Sequence, residues 1–417
     1  MERRTVLRAT LAAGASIGMA GAAAPASAKP TPPPGPRNIV YKGWSSDADF
    51  GTGAHLGTTA SGGALRLTSA AGQFTYLGTS YDHASWTSPV VTNGFGATQA
   101  IASWTADTPG ATWVQTELRG VTAAGNTTAW KIMGRWAADD TSVQRTSVPG
   151  QTDADGGIAI DTWTAATGRE LTSWQVRVTL YRPAGSSLTP VVRSLGAVAS
   201  AVSGAGTATS PAAAQGITLN VPQYSQEIHA GQYPQYNGGG EAWCSPTSTS
   251  MVTAYWGTGP TPADYAWVDP GYADPWVDHA ARSTYDLNYN GTGNWPFNTA
   301  YAGRFGLDGF VTRLRSLNEA EKFIAAGIPL VFSLSFGKNE IPGLSYSTNG
   351  HLLVLAGFSA TGQPVLNDPA SATDAAVRKT VGRAQFEAAW LRSSGGVVYV
   401  IKQPGVALPP APSQANW

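Results

Sequence analysis

The sequence predicts a multidomain fold, in which an N-terminal all-β sandwich of the jelly-roll type precedes an α+β domain. Residues 38–203 contain short segments of alternating apolar and polar residues, separated by Gly, Asn, Asp and Pro, and show no long helical periodicity. In residues 216–403 the pattern changes, because a helical segment comes first and most apolar strand segments follow later. A chain of 417 residues is long enough for two complete cores.

Five segments of the first domain predict strands, since apolar residues recur there at alternate positions. The clearest alternation runs from Trp174 to Tyr181 and ends at Arg182 and Pro183. Several short strands at this spacing are typical of sandwiches and jelly rolls. The predicted strands cover residues 64–69, 96–104, 112–118, 128–136 and 173–181.

The second domain follows a linker at residues 204–215, GAGTATSPAAAQ, whose small residues and proline indicate a hinge. Asn318 is a candidate N-cap of its second helix, and Gly327 follows the end of that helix. The Pro-rich residues 404–417 predict a loose tail. The predicted helices cover 245–255, 316–326 and 383–391, and the predicted strands cover 217–221, 329–336, 350–359, 363–367 and 396–402.

Residues 1–28 have the features of an export signal. Arg3 and Arg4 begin a basic segment, a Gly/Ala-rich apolar run follows, and Ala26-Ser27-Ala28 fits an A-x-A cleavage site. The arginine pair favours the twin-arginine route over the Sec route. Residues 29–37, KPTPPPGPR, then predict an extended linker. No later segment is long and apolar enough to span a bilayer, so we expect a secreted protein without a membrane span.

The composition excludes several classes of partner. Lys and Arg balance Asp and Glu at 26 each, so there is no basic field to attract nucleic acid. Charged residues make up 12% of the chain, with 49 glycines and 15 tryptophans, which is typical of secreted β-rich proteins. The aromatic content makes a glycan or cell-surface ligand a reasonable partner of the first domain. We expect no metal or other cofactor, because the one acidic run with a histidine fits no ligand spacing (Asp269, Asp274, Asp278 and His279).

The single cysteine, Cys244, lies at the predicted start of a helix. A lone thiol in an exported protein has no internal disulfide to form, so it is either a small buried side chain or a nucleophile. At a helix N-terminus, the macrodipole and the unpaired N–H groups favour a thiolate and can bind an oxyanion. Glycines before the cysteine in GGGEAWCSPTSTSM allow close backbone approach.

His351 is placed to act as the general base for this cysteine. It heads the apolar strand HLLVLA, whereas His55 and His83 lie in the first domain. The following strand ends at Asp368, and an antiparallel pairing through the turn at Gly362 would bring Asp368 close to His351. A carboxylate there would fix the imidazole tautomer and stabilise the imidazolium.

With these motifs, the segment from about residue 221 to residue 400 resembles the C39-like cysteine peptidases, a papain-like group. The matching motifs are VPQYSQ ending at Gln226, CSPTS beginning at Cys244, GH ending at His351, and NDP around Asp368. The resemblance covers nearly half of the chain and implies a papain-like α+β domain. It implies an oxyanion-hole role for Gln226, a nucleophile at Cys244, a base at His351 and an orienting carboxylate at Asp368.

Two features depart from the family pattern. Ser245 follows the cysteine where the family commonly has glycine. The spacing from Gln226 to Cys244 is long, so Gln223, Gln232 and Gln235 are alternatives for the oxyanion role. The branch of the family that is fused to transporters trims double-glycine leaders, but this sequence has neither membrane spans nor an ATPase motif, so that substrate is not implied.

We therefore expect a secreted cysteine peptidase that hydrolyses amide bonds of a peptide or protein through a thioester acyl-enzyme. One alternative is a non-catalytic carbohydrate- or cell-wall-binding protein with a degenerate hydrolase domain. Another is a cell-wall amidase or acyltransferase, because the same triad serves all acyl transfers. The aromatic segment 285–295, YDLNYNGTGNW, either lines a substrate cleft or packs a long loop on the domain.

Overall fold

The computed structural model describes residues 37–202, 209–213 and 216–417. The predicted export signal at 1–28 lies outside the described residues, as do most of the linker at 29–37 and parts of the linker at 204–215. No helix within the described ranges is long and apolar enough to cross a membrane.

The N-terminal domain consists of fourteen described strands in two seven-stranded antiparallel sheets. A one-turn helix, α1 (Asp47–Phe50), follows the first strand. The strands are β1 (Asn38–Trp44), β2 (Ala54–Leu56), β3 (Thr58–Ala60), β4 (Leu65–Leu67), β5 (Gly72–Tyr76), β6 (Thr79–Thr87), β7 (Val91–Ala97), β8 (Gln99–Asp107), β9 (Trp113–Thr122), β10 (Lys131–Trp136), β11 (Gly156–Ala159), β12 (Thr162–Ala165), β13 (Leu171–Pro183) and β14 (Val191–Ala201). One sheet has the order β11-β12-β8-β14-β4-β3 with β1 also on β14, and the other has the order β10-β9-β13-β6-β2 with β5 on β6 and β7 on β13.

The two sheets enclose a core rich in tryptophan. Trp44 and Trp104 from one sheet and Trp86 and Trp174 from the other are almost fully buried in a single apolar cluster. The Trp44 ring meets Trp86 and Trp174 edge-on, with centroids 5.5 and 6.2 Å away. Large aromatic side chains contribute most of the apolar area that such a core removes from water. The β-rich N-terminal domain predicted from alternation is confirmed.

One of the five predicted strands has the wrong extent. The alternation at 96–104 is divided at Thr98 between β7 and β8, which belong to different sheets. The chain crosses from one sheet to the other at this residue while the apolar residues continue, so the pattern gives no sign of the break. The other four predictions correspond to β4, β9, β10 and β13, with shifted ends.

The C-terminal domain is an α+β region with one six-stranded antiparallel sheet, of order β15-β20-β16-β17-β18-β19. Its strands are β15 (Asp308–Arg313), β16 (Leu330–Phe336), β17 (Thr348–Phe358), β18 (Pro364–Asn367), β19 (Arg378–Thr380) and β20 (Val397–Lys402). Its helices are α2 (Cys244–Tyr255), α3 (Pro275–Thr284), α4 (Trp295–Gly303), α5 (Leu317–Ala325) and α6 (Arg383–Ser394).

Both faces of this sheet are covered, because successive strand residues point to opposite sides. In β17, Leu353 and Leu355 belong to the cluster that contains Phe323 of α5 and Trp390 of α6. Leu352 and Val354 belong instead to the cluster that contains Met251 and Val252 of α2. A strand that is buried on both faces is apolar throughout, which explains the continuous run after His351.

Helices α3 and α4 and strand β15 were not among the predicted elements. Both helices have proline in their first turn, where its missing N–H costs nothing, although proline in other positions signals a loop. The side chain of Asn294 caps α4 by accepting a hydrogen bond from Phe297 N. The sequence Asn-Trp-Pro at 294–296 is therefore a signal for the start of a helix. The cap predicted for α5 is wrong, because that helix begins after Ser316 and Asn318 donates to Glu321.

Residues 217–221 form an isolated bridge rather than the predicted strand. Thr218 pairs with Gly357, and Leu219 N donates to the Ala356 carbonyl at 2.8 Å. The segment therefore follows the edge of β17 for one pairing and then departs toward Gln226. Only two residues of this segment pair with β17, which is too few to form a continuous strand.

Helix α4 joins the two domains into one interior. Its Phe297 ring lies 5.6 Å from Trp136 and 6.1 Å from Trp104, both in the N-terminal core. At the start of the helix, Trp295 N donates to the carboxylate of Asp161 at 3.0 Å. The aromatic segment 285–295 also packs here, since Asp286 accepts from Ser147 N at 2.9 Å.

The Pro-rich segment 404–417 is packed against both domains, which corrects the expectation of a loose tail. Ala415 accepts a hydrogen bond from Tyr41 N of β1 at 2.9 Å. Asn416 is fully buried, and the Trp417 ring packs on Phe323 of α5 with centroids 5.0 Å apart. Proline predicted the lack of regular structure correctly, but it carries no information on whether a segment packs.

Candidate active site

Cys244 is the first residue of α2 and is partly accessible to solvent. Two serine hydroxyls of the helix fix its N-terminal half on the sheet. Ser245 is hydrogen-bonded to the Tyr399 hydroxyl of β20 at 2.9 Å, and Ser248 donates to the Leu352 carbonyl of β17 at 3.1 Å. Leu352 directly follows His351, so this bond sets the start of the helix beside that histidine. The departure at Ser245 thus provides a contact with the sheet.

The glycines before Cys244 meet a real steric demand. A Cβ on Gly240 would lie 2.3 Å from the Gln226 carbonyl and 2.5 Å from the His229 Cβ. Any side chain at this position would push the loop that carries Cys244 away from the segment at 226–229.

His351 and Asp368 are in direct contact at the open end of the sheet. Strands β17 and β18 pair antiparallel, with Val354 opposite Asn367, and the next residue is Asp368. Its Oδ1 lies 2.8 Å from His351 Nε2, and the two residues are 0% and 4% exposed respectively. The side chain of Cys244 lies close enough to the imidazole to be one of the groups that raise its pKa. The three residues therefore form one chain of contacts from a partly exposed sulfur to a buried carboxylate.

The charges of Asp368 and His351 stabilise each other. Burial lowers the pKa of His351, but the interactions with Asp368 and Cys244 outweigh it and raise that pKa to about 10. Burial also raises the pKa of Asp368, and its contacts with His351 and Lys379 outweigh this and hold the pKa well below its usual range. At neutral pH the imidazole is thus held as an imidazolium next to the sulfur.

Three further donors to Asp368 were missed by the sequence analysis. Lys379 Nζ donates to Oδ2 at 2.8 Å, while the Tyr346 hydroxyl and Ala370 N each donate to Oδ1 at 3.1 Å. The Tyr346 ring also stands edge-on to His351, with centroids 5.8 Å apart. Lys379 lies on the short strand β19, opposite Leu366. Lys379 has no motif of its own, so only the pairing of β18 with β19 reveals it.

Gln226 lies between the two parts of the site. Its backbone N–H donates to the carbonyl of Pro369, next to Asp368, at 2.9 Å. Its side-chain Nε2 donates to the carbonyl of Glu241 at 2.9 Å, three residues before Cys244. The residue is 3% exposed, and its Oε1 has no hydrogen-bond partner within the described ranges.

The three alternative glutamines make other contacts. Gln223 accepts from Arg378 N at 3.1 Å, and Gln232 is hydrogen-bonded to His229 at 3.0 Å. Gln235 is exposed on the loop that follows. Of the four glutamines, Gln226 is the one whose bonds join the segment after Asp368 to the segment before Cys244.

The acidic run at 269–279 does not converge on one point. Asp269 accepts from Gly271 N on the surface, and His279 is hydrogen-bonded to the Tyr301 hydroxyl at 2.9 Å. Asp278 is fully buried and lies 3.2 Å from His229. Within the described ranges, no group of three or more His, Cys, Asp or Glu side chains could hold a metal ion.

A pocket of about 410 Å³ opens beside the second half of α2. It takes in aromatic walls, helix residues and a glycine-containing loop, and its lining includes none of Cys244, His351 and Asp368. The lining residues are Tyr224, Ser250, Thr253, Ala254, Gly257, Thr258, Gly259, Pro260 and Trp276.

Comparison with protein families identifies a peptidase-like chain. Residues 218–398 match the Peptidase_C39 like family, and residues 40–200 match the family described as Peptidase C39 N-terminal domain. Both matches are to C39 peptidase models, and the match at 218–398 agrees with the resemblance that the sequence motifs indicated. The second match extends the likeness to the N-terminal domain, which the motifs had left outside it.

Other comparisons add little. No curated protein matches the chain. A crystal structure of a LamA variant from Z. galactanivorans, in complex with laminaritriose and laminaritetraose, aligns with a TM-score of 0.19 at 9% identity. That alignment covers 39% of this chain and 92% of the other, and similarity at this level supports no conclusion about fold or ligand.

Proposed function

We propose that this chain is a secreted cysteine peptidase of the papain-like type, which hydrolyses amide bonds with Cys244, His351 and Asp368. The observation that carries the proposal is the continuous contact from a partly exposed sulfur at a helix start, through His351, to buried Asp368. The match to a peptidase-like family supports the same reaction class. The paired arginines and the A-x-A motif support export by the twin-arginine route.

In the proposed reaction, the Cys244 sulfur attacks the carbonyl carbon of the scissile amide. The oxyanion receives hydrogen bonds from the N–H of Cys244 and from the side-chain amide of Gln226. His351 donates a proton to the departing amine, which leaves a thioester on Cys244. His351 then takes a proton from water as the water attacks the thioester, which releases the acid and restores the thiolate–imidazolium pair.

Asp368 has an orienting role in this scheme. Its Oδ1 accepts from His351 Nε2, so the other ring nitrogen, Nδ1, faces the sulfur. The carboxylate stabilises the imidazolium through both steps without taking the proton itself. Its burial with several donors keeps it ionised throughout.

A glycan or cell-surface ligand of the N-terminal domain stays a prediction. That domain shares its core with α4, so a surface bound there would hold the proposed active site at a fixed distance. Such tethering would raise the local substrate concentration without a flexible hinge.

The test uses the fact that the chain has one cysteine. Iodoacetamide should modify Cys244 alone and abolish hydrolysis of a broad peptide library in step with labelling. Cys244→Ala should lower kcat by at least about 10³-fold, whereas the matched variant His55→Asn in the N-terminal domain should not.

Equal hydrolysis by the wild type and Cys244→Ala would reject the mechanism. Glycan binding without turnover would then favour the non-catalytic alternative. Transfer of the acyl group to an added amine in preference to water would instead identify an acyltransferase.

A further inference from the structure

We propose that Lys379 is a positioning residue for the carboxylate of Asp368. Because Lys379 and His351 both bind this carboxylate, Lys379 also weakens the attraction that keeps His351 protonated. This inference rests on the proposed function. It is based on the contacts of the second carboxylate oxygen, for which no sequence motif suggested a partner.

The geometry divides Asp368 between two cations. Oδ1 lies 2.8 Å from His351 Nε2, and Oδ2 lies 2.8 Å from Lys379 Nζ. The carboxylate is 0% exposed, whereas the Lys379 side chain is 25% exposed. A buried carboxylate between two cations is thus connected to solvent on one side through the lysine, while its other side faces the imidazole.

Fixing Oδ2 also fixes the direction of Oδ1. A carboxylate that is held only by His351 could rotate about its Cβ–Cγ bond and offer either oxygen to the ring. The pairing of Leu366 with Lys379 and the bond from Asp368 N to Val377 O set the lysine beside Oδ2. Tyr346 and Ala370 donate two further hydrogen bonds to Oδ1, so the carboxylate is held in one orientation.

The electrostatic consequence has a definite sign. The groups that face His351 and Asp368 are Cys244 from α2, Tyr346 from the loop before β17, Glu227 from the short turn at Glu227–His229, and Lys379 from β19. Among these groups, Lys379 is the second positive charge on Asp368, beside His351. Its removal leaves the full charge of Asp368 to His351, which stabilises the imidazolium and moves its loss to higher pH.

The variants are Lys379→Met, Lys379→Arg and a matched control, Lys338→Met, at an exposed lysine. The readout is the ratio of Cys244 alkylation rates with anionic iodoacetate and neutral iodoacetamide, measured from pH 6 upward. This ratio cancels the thiolate fraction and falls where the imidazolium loses its proton. A melting curve for each variant checks folding, and Lys379→Gln replaces Lys379→Met if the latter does not fold.

We expect the midpoint of this fall to move up by about half a pH unit or more in Lys379→Met, and to stay at the wild-type value in Lys379→Arg and Lys338→Met. We also expect kcat to fall about 10-fold in Lys379→Met alone, from the lost orientation. Superimposable profiles of Lys379→Met and wild type would overturn the proposal, even if the wild type hydrolyses peptides. A shifted profile in a protein that hydrolyses nothing would instead support the role of Lys379 and count against the peptidase.

Discussion

The C-terminal domain contains two buried contacts between a histidine and an aspartate, and they differ in everything except that contact. His351 and Asp368 lie 2.8 Å apart, next to a partly exposed cysteine, with Lys379 and Tyr346 also bonded to the carboxylate. His229 lies 3.2 Å from Asp278, and both residues are fully buried.

The second pair is also poorly hydrogen-bonded. His229 Nδ1 is bonded to Gln232 at 3.0 Å, and the approach of Asp278 is close in distance but not aligned as a hydrogen bond. Within the described ranges, both Asp278 oxygens lack a hydrogen-bond partner, as does His229 Nε2. A histidine next to an aspartate is therefore insufficient evidence of a catalytic site. The decisive features are access to a nucleophile and a carboxylate whose donors keep it ionised and oriented.

The largest expected effect separates these two pairs. His351→Asn should lower kcat/KM by at least about 10³-fold, because the thiolate loses its proton donor and acceptor. His229→Asn should leave the catalytic residues in place but remove the imidazole that lies against the buried carboxylate of Asp278. We expect it to lower the melting temperature by roughly 5 °C or more.

Peptide hydrolysis and thermal melting of both variants check this prediction. His351→Asn should be the less destabilised of the two, since Asp368 keeps Lys379 and Tyr346. If His229→Asn abolished hydrolysis at unchanged stability, the functions that we give to the two pairs would have to be exchanged.

The sequence could indicate the His351–Asp368 pair because order along the chain carries information that pairwise chemistry lacks. Cys244 before a helix, His351 at the head of an apolar strand and Asp368 at the end of the next strand lie on elements whose periodicity is strong. An antiparallel pairing through one turn was enough to relate His351 to Asp368. The α+β character of the domain followed from the same elements.

Other parts of the site and fold depend on contacts that sequence spacing does not encode. Lys379 reaches Asp368 through a three-residue edge strand, which has no periodicity to detect. Asp278 meets His229 through α3, a helix whose first turn begins with proline and is therefore hard to distinguish from a loop by sequence. The packed Trp417 was missed because side-chain packing of an irregular segment leaves no pattern.

The next effect tests whether Gln226 belongs with the first pair. Gln226→Ala should lower kcat by about 10²–10³-fold with little change in KM, because the loss concerns the oxyanion formed in the transition state. Gln232→Ala removes a partner of His229 instead, so it should lower the melting temperature and keep kcat within a few-fold of wild type.

Steady-state kinetics on one peptide substrate, with a melting curve for each protein, compares these two variants. Unchanged kcat in Gln226→Ala would remove this residue from the oxyanion hole. A loss of kcat in Gln232→Ala instead would assign the role to the segment around His229.

The smallest expected effect is a change in stability at Asp274, which lies near the His229–Asp278 pair. Burial, and then the charge of Asp374, raise the pKa of Asp274 to about 6 from its ordinary value of 3.8. A carboxyl whose pKa is raised by folding binds its proton more tightly in the folded state, so stability falls as the pH rises from about 4 through 6. Asp274→Asn removes this penalty, and asparagine tolerates the left-handed φ of +47° at this position.

We therefore expect Asp274→Asn to be more stable than the wild type by about 1 kcal/mol at pH 8, after allowance for solvent screening of a half-buried group. The difference should disappear near pH 3, where the wild-type carboxyl is largely protonated in both states. Denaturant unfolding at the two pH values measures it, with Asp269→Asn on the exposed part of the same loop as the control. An equal gain at both pH values would show that the charge of Asp274 is not its cause. A gain confined to pH 8 would show that the region around His229 tolerates charge at a cost in stability, whereas the donors around Asp368 keep that carboxylate charged.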